Sequence, residues 1–276
     1  FLLVRQLPSR AVLEEQLFYQ HDGHRIPDGA PVTAIPYVLS KAVYPGQNQP
    51  KITTSYAYSA LNFLGYGGVN SWDSHGDSLF NARAKYQYTS TAKVHGGATS
   101  TYTYNKFHLM VSVHRQQGTK SITQRTTYHA VEDESFENQP AQYQLPKEVE
   151  ITYADSAIEG SFRTEKTLYS FDVWGNPTET VEKNGTKTIR EYYLEEGESG
   201  SCPADPSGFR RQLKRESRAP PGDGWARSKE FRYTQLPTTG NVDATRHFVV
   251  VSQEASFEHR QMLLRTEYSH VNQAGS

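Results

Sequence analysis

Rings recur two residues apart along this chain, and that spacing limits what the chain can fold into. Tyr56 and Tyr58, Tyr86 and Tyr88, and Tyr102 and Tyr104 are followed by Tyr169 and Phe171, then by Phe231 and Tyr233. Further rings in similar Thr-, Lys- or Arg-flanked settings stand at Tyr128, Tyr153, Tyr192, Tyr193 and Tyr268. Residues two apart point to one face of a strand, and Tyr and Thr suit a pleated, half-buried surface. The pattern predicts an all-β chain of antiparallel hairpins. Spacing between the ring pairs is irregular, so the repeat is degenerate and carries insertions rather than a strict period.

Composition explains how such a chain holds together. Mean hydropathy is low, −0.72, yet aromatic residues make up 12%, with 18 Tyr among them. Rings therefore supply most of the apolar burial, each removing roughly 150–250 Å² from water, and the predicted sheets expose one face. Charge is balanced, with 29 basic and 30 acidic residues, so no global field points to nucleic acid or to an anionic membrane. The basic run 209–218 reads as a solvated edge or surface. No apolar run reaches membrane-spanning length. Cys202 is the lone cysteine, which excludes an intrachain disulfide and any thiolate metal site and is compatible with folding in a reducing cytoplasm before export.

Two turns have a legible design. Tyr169-Ser-Phe171 leads into Asp172-Val-Trp-Gly175, then Asn176 and Pro177. Asp first and Gly fourth is the preference of a type I turn, with Gly175 taking the left-handed conformation that a bulged hairpin requires. Pro177 holds Asn176 extended at the start of the returning strand. Tyr169 and Phe171 share one face of the incoming strand, where they are expected to pack on rings of the next unit. Asn184-Gly185 predicts a two-residue hairpin loop. That register sets Lys183 opposite Thr186, Glu182 opposite Lys187 and Glu179 opposite Arg190. Segment 9–20 fits a short helix or a strand equally, 132–148 reads as a long connection, and 197–208 and 219–224 read as loops.

Candidate chemistry is sparse. His21, Asp22 and His24 surround Gly23 and read as a polar turn, with no third ligand for a metal at fitting spacing. Asp73, His75 and Asp77 lie in a Gly-containing loop that lacks the alternation and terminal Glu of a calcium loop, so an Asx-stabilised turn is expected. Cys202 has no neighbouring His to lower its pKa. No nucleophile elbow, phosphate loop or dinucleotide fingerprint is present. The sequence points to no catalytic residue, no metal and no cofactor. The paired rings have one functional alternative, a carbohydrate- or receptor-binding face.

Aromatic–x–aromatic–Asp–x–x–Gly–Asn at 169–176 resembles the YD repeat of Rhs proteins, with Phe171 in place of the second Tyr. Segments 62–80, 103–110, 137–150 and 202–215 are similar to parts of Rhs-repeat and insecticidal toxin-complex proteins of Gram-negative, pseudomonad-type bacteria. The resemblance covers about residues 40 to 276. Only 169–176 is a well-formed unit; elsewhere the rings persist without the turn sequence. The resemblance implies an antiparallel hairpin strip, part of a spiralling β-shell, with residues 1–276 one continuous segment of a longer chain. It also implies a virulence function without catalysis: a wall that encloses a C-terminal toxic polypeptide before delivery. The implied partners are the remaining shell, of the same or a companion chain, the enclosed toxin, and a delivery component or surface glycan. The protein would be secreted or delivered to target cells after folding in the cytoplasm.

Overall fold

The computed structural model describes residues 2–6, 12–46, 48–222, 227–237 and 247–270. They form an all-β, antiparallel structure divided into two compact units, Phe1–Glu165 and Lys166–Ser276. The first unit contains β1 (Leu2–Gln6), β2 (Val12–Arg25), β3 (Ala34–Tyr44), β4 (Ile52–Tyr58), β5 (Gln87–Val94), β6 (Thr99–Asn105), β7 (Met110–Gln117), β8 (Lys120–Tyr128) and β9 (Pro146–Asp155). Strand β10 (Phe162–Phe171) begins in the first unit and ends in the second. The second unit continues with β11 (Pro177–Val181), β12 (Lys187–Tyr192), β13 (Leu213–Ala219), β14 (Arg227–Pro237), β15 (His247–Glu258) and β16 (Gln261–Glu267). Within each unit the strands pair antiparallel with their sequence neighbours.

Segment 12–20 resolves as strand, and 9–11 lie outside the described residues. The expected polar turn at His21-Asp22-Gly23-His24 is instead part of β2, with its register interrupted between Gln20 and His24. Gly23 lies so close to the Tyr37 ring and backbone that a Cβ there would overlap both. The expected connection 132–148 ends sooner, because Pro146–Asp155 is strand β9, and it holds a 3-10 turn, Phe136–Asn138.

Alternate strands share a device. The register of β6, β8, β10, β12 and β14 shifts by a bulge immediately before an aromatic residue: Tyr104, Tyr128, Phe171, Tyr192 and Tyr233. The extra residue lies on the following strand each time, at Val111, Lys147, Thr178, Lys214 and Ser252, where a bulge increases the local twist. Three of the rings bond the preceding strand. Tyr128 donates to Met110 O at 3.0 Å, Tyr192 to Pro177 O at 3.2 Å and Tyr233 to Leu213 O at 3.0 Å. Three hairpins are thus clamped by a ring of their own, and the register shift recurs with a period of two strands although its length in residues varies.

Burial departs from a one-faced sheet. Strand β10 alternates exposed and half-buried residues, with Tyr169 and Phe171 on the half-buried face. In β6, β9 and β15, however, both faces are largely half-buried. Among the described residues the closest strand contacts are between sequence neighbours, and long side chains shield one another along each face. The buried apolar cluster of the first unit lies elsewhere, inside the connection 59–86 between β4 and β5. Leu79, Ala82 and Tyr86 pack there against Leu61, Val69 and Tyr88.

The Asn184-Gly185 register differs from expectation by one residue. Glu182 N donates to Thr186 O at 2.8 Å and Gly185 N to Glu182 O at 2.8 Å, so the loop also includes Lys183. Lys187 consequently pairs with Val181 and Glu179 with Ile189. A two-residue type I′ loop needs positive φ at both central residues; here only Gly185 has it, at 80°. Asn184 instead accepts from Thr186 N through its side chain at 3.0 Å. Lys187 still reaches Glu179 diagonally at 3.0 Å, while Arg190 sits opposite Glu216 of β13 and pairs with it at 2.7 Å.

Candidate functional site

At Asp172–Asn176 the expected bulged turn is present. Asp172 N donates to Asn176 O at 3.0 Å, Gly175 N donates to Asp172 O at 3.1 Å, and Gly175 has φ 83°. The Asp172 carboxylate accepts from Trp174 N at 3.0 Å and Asn176 N at 2.9 Å, satisfying two donors of the turn. Asn176 Nδ2 joins this carboxylate to Arg210 O, at 3.0 and 2.6 Å. Val173 and Trp174 project outward and are largely exposed, whereas Phe171 faces Pro177 across the bulge. Among the described residues Tyr169 makes no ring contact.

The same backbone loop occurs where the sequence motif is absent. Asn105 N donates to Leu109 O at 3.0 Å, and His108 N donates to Asn105 O at 3.1 Å. Asn105 Oδ1 accepts from Phe107 N at 3.0 Å and Leu109 N at 3.1 Å, as Asp172 does in its turn. His108 takes the left-handed position, with φ 59°. Parts of this arrangement recur at Asn62–Gly65 and Asp205–Phe209. Asn62 Oδ1 accepts from Leu64 N at 3.0 Å, and Asp205 Oδ1 accepts from Ser207 N at 2.9 Å and Phe209 N at 3.3 Å. The aromatic–x–aromatic–Asn run at 102–105 was the legible signal. Asn substitutes for Asp as an acceptor, and His is among the few non-glycine residues enriched at positive φ.

Two of these loops frame a cleft of about 290 Å³ in the first unit, lined by His24, Tyr58, Phe63, Tyr88, Tyr104 and His108 among others. The Asn62 loop carries Phe63 and is anchored from below by Tyr86. The Tyr86 hydroxyl accepts from Asn62 N at 3.0 Å and lies 2.9 Å from the carbonyls of Asn62 and Tyr66. Gly68 is required at this point, because a Cβ would overlap the Tyr86 ring. On the opposite wall, Tyr88 of β5 and Tyr104 of β6 are register partners whose rings stack at 5.1 Å. His24 packs among Tyr37, Tyr58 and Phe63, with ring centroids 5.0, 4.7 and 5.2 Å away. Burial lowers its pKa from 6.5 and favours the neutral imidazole.

His108 closes a polar chain beside the cleft. Its Nε2 lies 2.6 Å from Asp77 Oδ2, and its Nδ1 lies 3.1 Å from the Tyr88 hydroxyl. With Asp77 ionised, Nε2 donates to the carboxylate and Nδ1 accepts from Tyr88. This order resembles a relay to a nucleophile, but Tyr88 is poorly suited to that role. Burial raises its pKa, and the neighbouring Tyr104 and Asp77 raise it further. Asp77 is also engaged through Oδ1 by Leu79 N at 2.9 Å, at the head of the 3-10 turn Ser78–Asn81. The chain of bonds orients rings.

The remaining candidates have structural engagements. Asp73 accepts from His75 N at 2.9 Å and Gly76 N at 3.1 Å, which is an Asx-stabilised turn. Among the described residues no three His, Cys, Asp or Glu side chains gather as metal ligands. Cys202 is buried, and burial followed by the charges of Glu198 and Asp205 pushes its thiol up to about 11. The basic run 209–218 is not an edge, because β13 lies between β12 and β14. Two of its cations meet carboxylates, Arg211 with Asp205 at 2.7 Å and Lys214 with Glu198 at 2.5 Å, while its own carboxylate Glu216 pairs with Arg190. Among the described residues, no helix is long and apolar enough to cross a membrane.

No protein-family model matches the chain, and no curated protein is similar enough to count as a match.

Proposed function

We propose that this chain is a non-enzymatic wall segment of an Rhs/YD-repeat toxin shell, which helps to enclose a C-terminal toxic polypeptide before delivery. The observation that carries the reading is the clamped hairpin repeat. A register shift recurs at a ring on every even-numbered strand from β6 to β14, three of these rings bond the preceding strand, and among the described residues the paired strands are sequence neighbours. Such a strip adds hairpins without building a central core and satisfies its backbone by lateral pairing. It suits a barrier better than a closed globule.

The mechanism is steric. The shell, completed by the same or a companion chain, separates the enclosed polypeptide from the producing cell until a delivery component or a target surface triggers release. A thiol held protonated by burial is compatible with folding in the cytoplasm before secretion or delivery.

Electron cryo-microscopy of the full-length gene product from its producing cell tests the proposal. The expected result is a hollow particle with residues 12–270 in its wall. A solid particle, or these residues folded as isolated globular modules, overturns it. A second reading, a carbohydrate- or receptor-binding module, draws on the ring-lined cleft. Saturable binding on a glycan array that disappears in Tyr104→Ala would favour it.

A further inference from the structure

The cleft in the first unit combines ring walls with two polar groups that the protein leaves unused. Tyr58 is held by its bond to Val38 O at 3.2 Å, and Tyr88 by His108 at 3.1 Å. The Asn62 amide is held by Arg25 O at 2.7 Å. These walls are fixed before any ligand arrives, so little rotamer freedom is lost on binding. By contrast, the His24 imidazole and the Tyr104 hydroxyl make no hydrogen bond among the described residues, although both residues line the cleft.

We propose that the cleft is a docking site for one neutral aromatic ring bearing a hydrogen-bonding group, presented as a tyrosine or tryptophan side chain of an extended polypeptide. Size supports a single ring, since about 290 Å³ lies just below the usual range for drug-sized ligands. Charge supports neutrality, because no Lys, Arg, Asp or Glu side chain lines the cleft. A charged group would lose hydration there without gaining a partner. Burial also favours the neutral forms of His24, Tyr58 and Tyr88.

Chemistry separates this ligand from a sugar. A hexose brings several hydroxyls, more than His24 and Tyr104 can bond, and each one buried without a partner opposes binding. A phenol or indole brings one polar group and a face suited to the rings of Phe63, Tyr88 and Tyr104. The polypeptide source rests on the shell reading, which supplies an enclosed, poorly folded chain as the partner.

The test is an NMR titration of the whole chain with p-cresol, toluene, methyl glucoside, and two short Gly/Ser peptides carrying either one tyrosine or alanine in its place. Saturable binding of p-cresol and the tyrosine peptide is expected, with shifts at His24 and Tyr104 and none from the alanine peptide. Phe63→Ala removes a partly exposed wall and should weaken both by about ten-fold, the scale of a lost ring contact. Tyr104→Phe keeps the ring and should weaken p-cresol about three-fold while leaving toluene unchanged, the scale of one neutral hydrogen bond. No p-cresol binding, equal binding by the variants, or methyl glucoside binding in the cleft overturns the proposal. Binding of p-cresol without the tyrosine peptide overturns the polypeptide occupant. These titrations are independent of whether microscopy finds a hollow particle, so the two readings fail separately.

Discussion

The turns at Asp172–Asn176 and Asn105–Leu109 have one backbone and two environments. Both close on the fifth residue, both use a side-chain oxygen at the first position to accept two backbone donors, and both place the fourth residue at positive φ. In the second unit the fourth residue is Gly175, which adopts that conformation without steric cost. In the first unit it is His108, which exchanges backbone ease for a side chain bonded to Asp77 and Tyr88. The first turn is only partly buried, whereas Asn105 is 2% exposed and Phe107 is 3% exposed. One frame therefore serves as plain repeat punctuation in one place and as a wall of a cleft in the other.

Removing the capping side chain should break the comparison most visibly. Asn105→Ala strands two donors in a buried loop and is expected to destabilise the first unit by about 3 kcal/mol, whereas the half-buried equivalent Asp172→Ala should cost about 1 kcal/mol. Urea unfolding combined with site-resolved hydrogen exchange measures both. Equal losses would show that burial is not what separates the turns.

Exchanging the left-handed residues sharpens the point. Gly175→His forces a side chain into positive φ without His108's partners and should cost about 1 kcal/mol. In His108→Gly, the regained backbone ease offsets the lost pair, so stability should change by less than about 1 kcal/mol. Its effect should appear instead as a mobile Tyr88 ring in NMR. A large stability loss in His108→Gly would mean that the Asp77 pair contributes far more than an exposed pair does.

Acid should distinguish the regions as well. His24 has a lowered pKa in the fold because of burial, so the unfolded chain binds its proton first as pH falls. Its contribution is intact above about 6.5, the ordinary histidine value, and declines as pH drops from there through the folded pKa. Hydrogen exchange around β4 and β5 should accelerate over that window in the native protein and less so in His24→Gln. An unchanged profile in the variant would assign the acid sensitivity to another group. The smallest effect belongs to the Lys187–Glu179 pair beside the Asn184-Gly185 loop. It is partly exposed, and Glu179→Gln should cost about 0.3 kcal/mol, fading with added salt.

Much of the strip was legible because strand chemistry is local. Rings two apart, Thr-rich flanks and Gly-bearing turns specify strands and their ends through short-range sterics, and Asp172 through Gly175 specified their turn in full. The one-residue error at Asn184-Gly185 arose because the same dipeptide fits two loop lengths. The choice fell to Asn184's own side chain bond to Thr186. His21 through His24 misled for a related reason: Gly23 looked like a turn residue, but the Tyr37 ring packed against it made it a point of close approach.

The sequence by itself determined an all-β antiparallel chain, the ring-rich strand faces and the turn at 172–176, since each depends on residues within a few positions. Tertiary structure alone decided that Tyr128, Tyr192 and Tyr233 clamp the preceding strand and that Asn105 and His108 rebuild the turn without its motif. It also brought His24, Phe63, Tyr88, Tyr104 and His108 around one cleft. Those outcomes depend on strand register and on how the connection 59–86 packs, which are distances through space that no local pattern encodes.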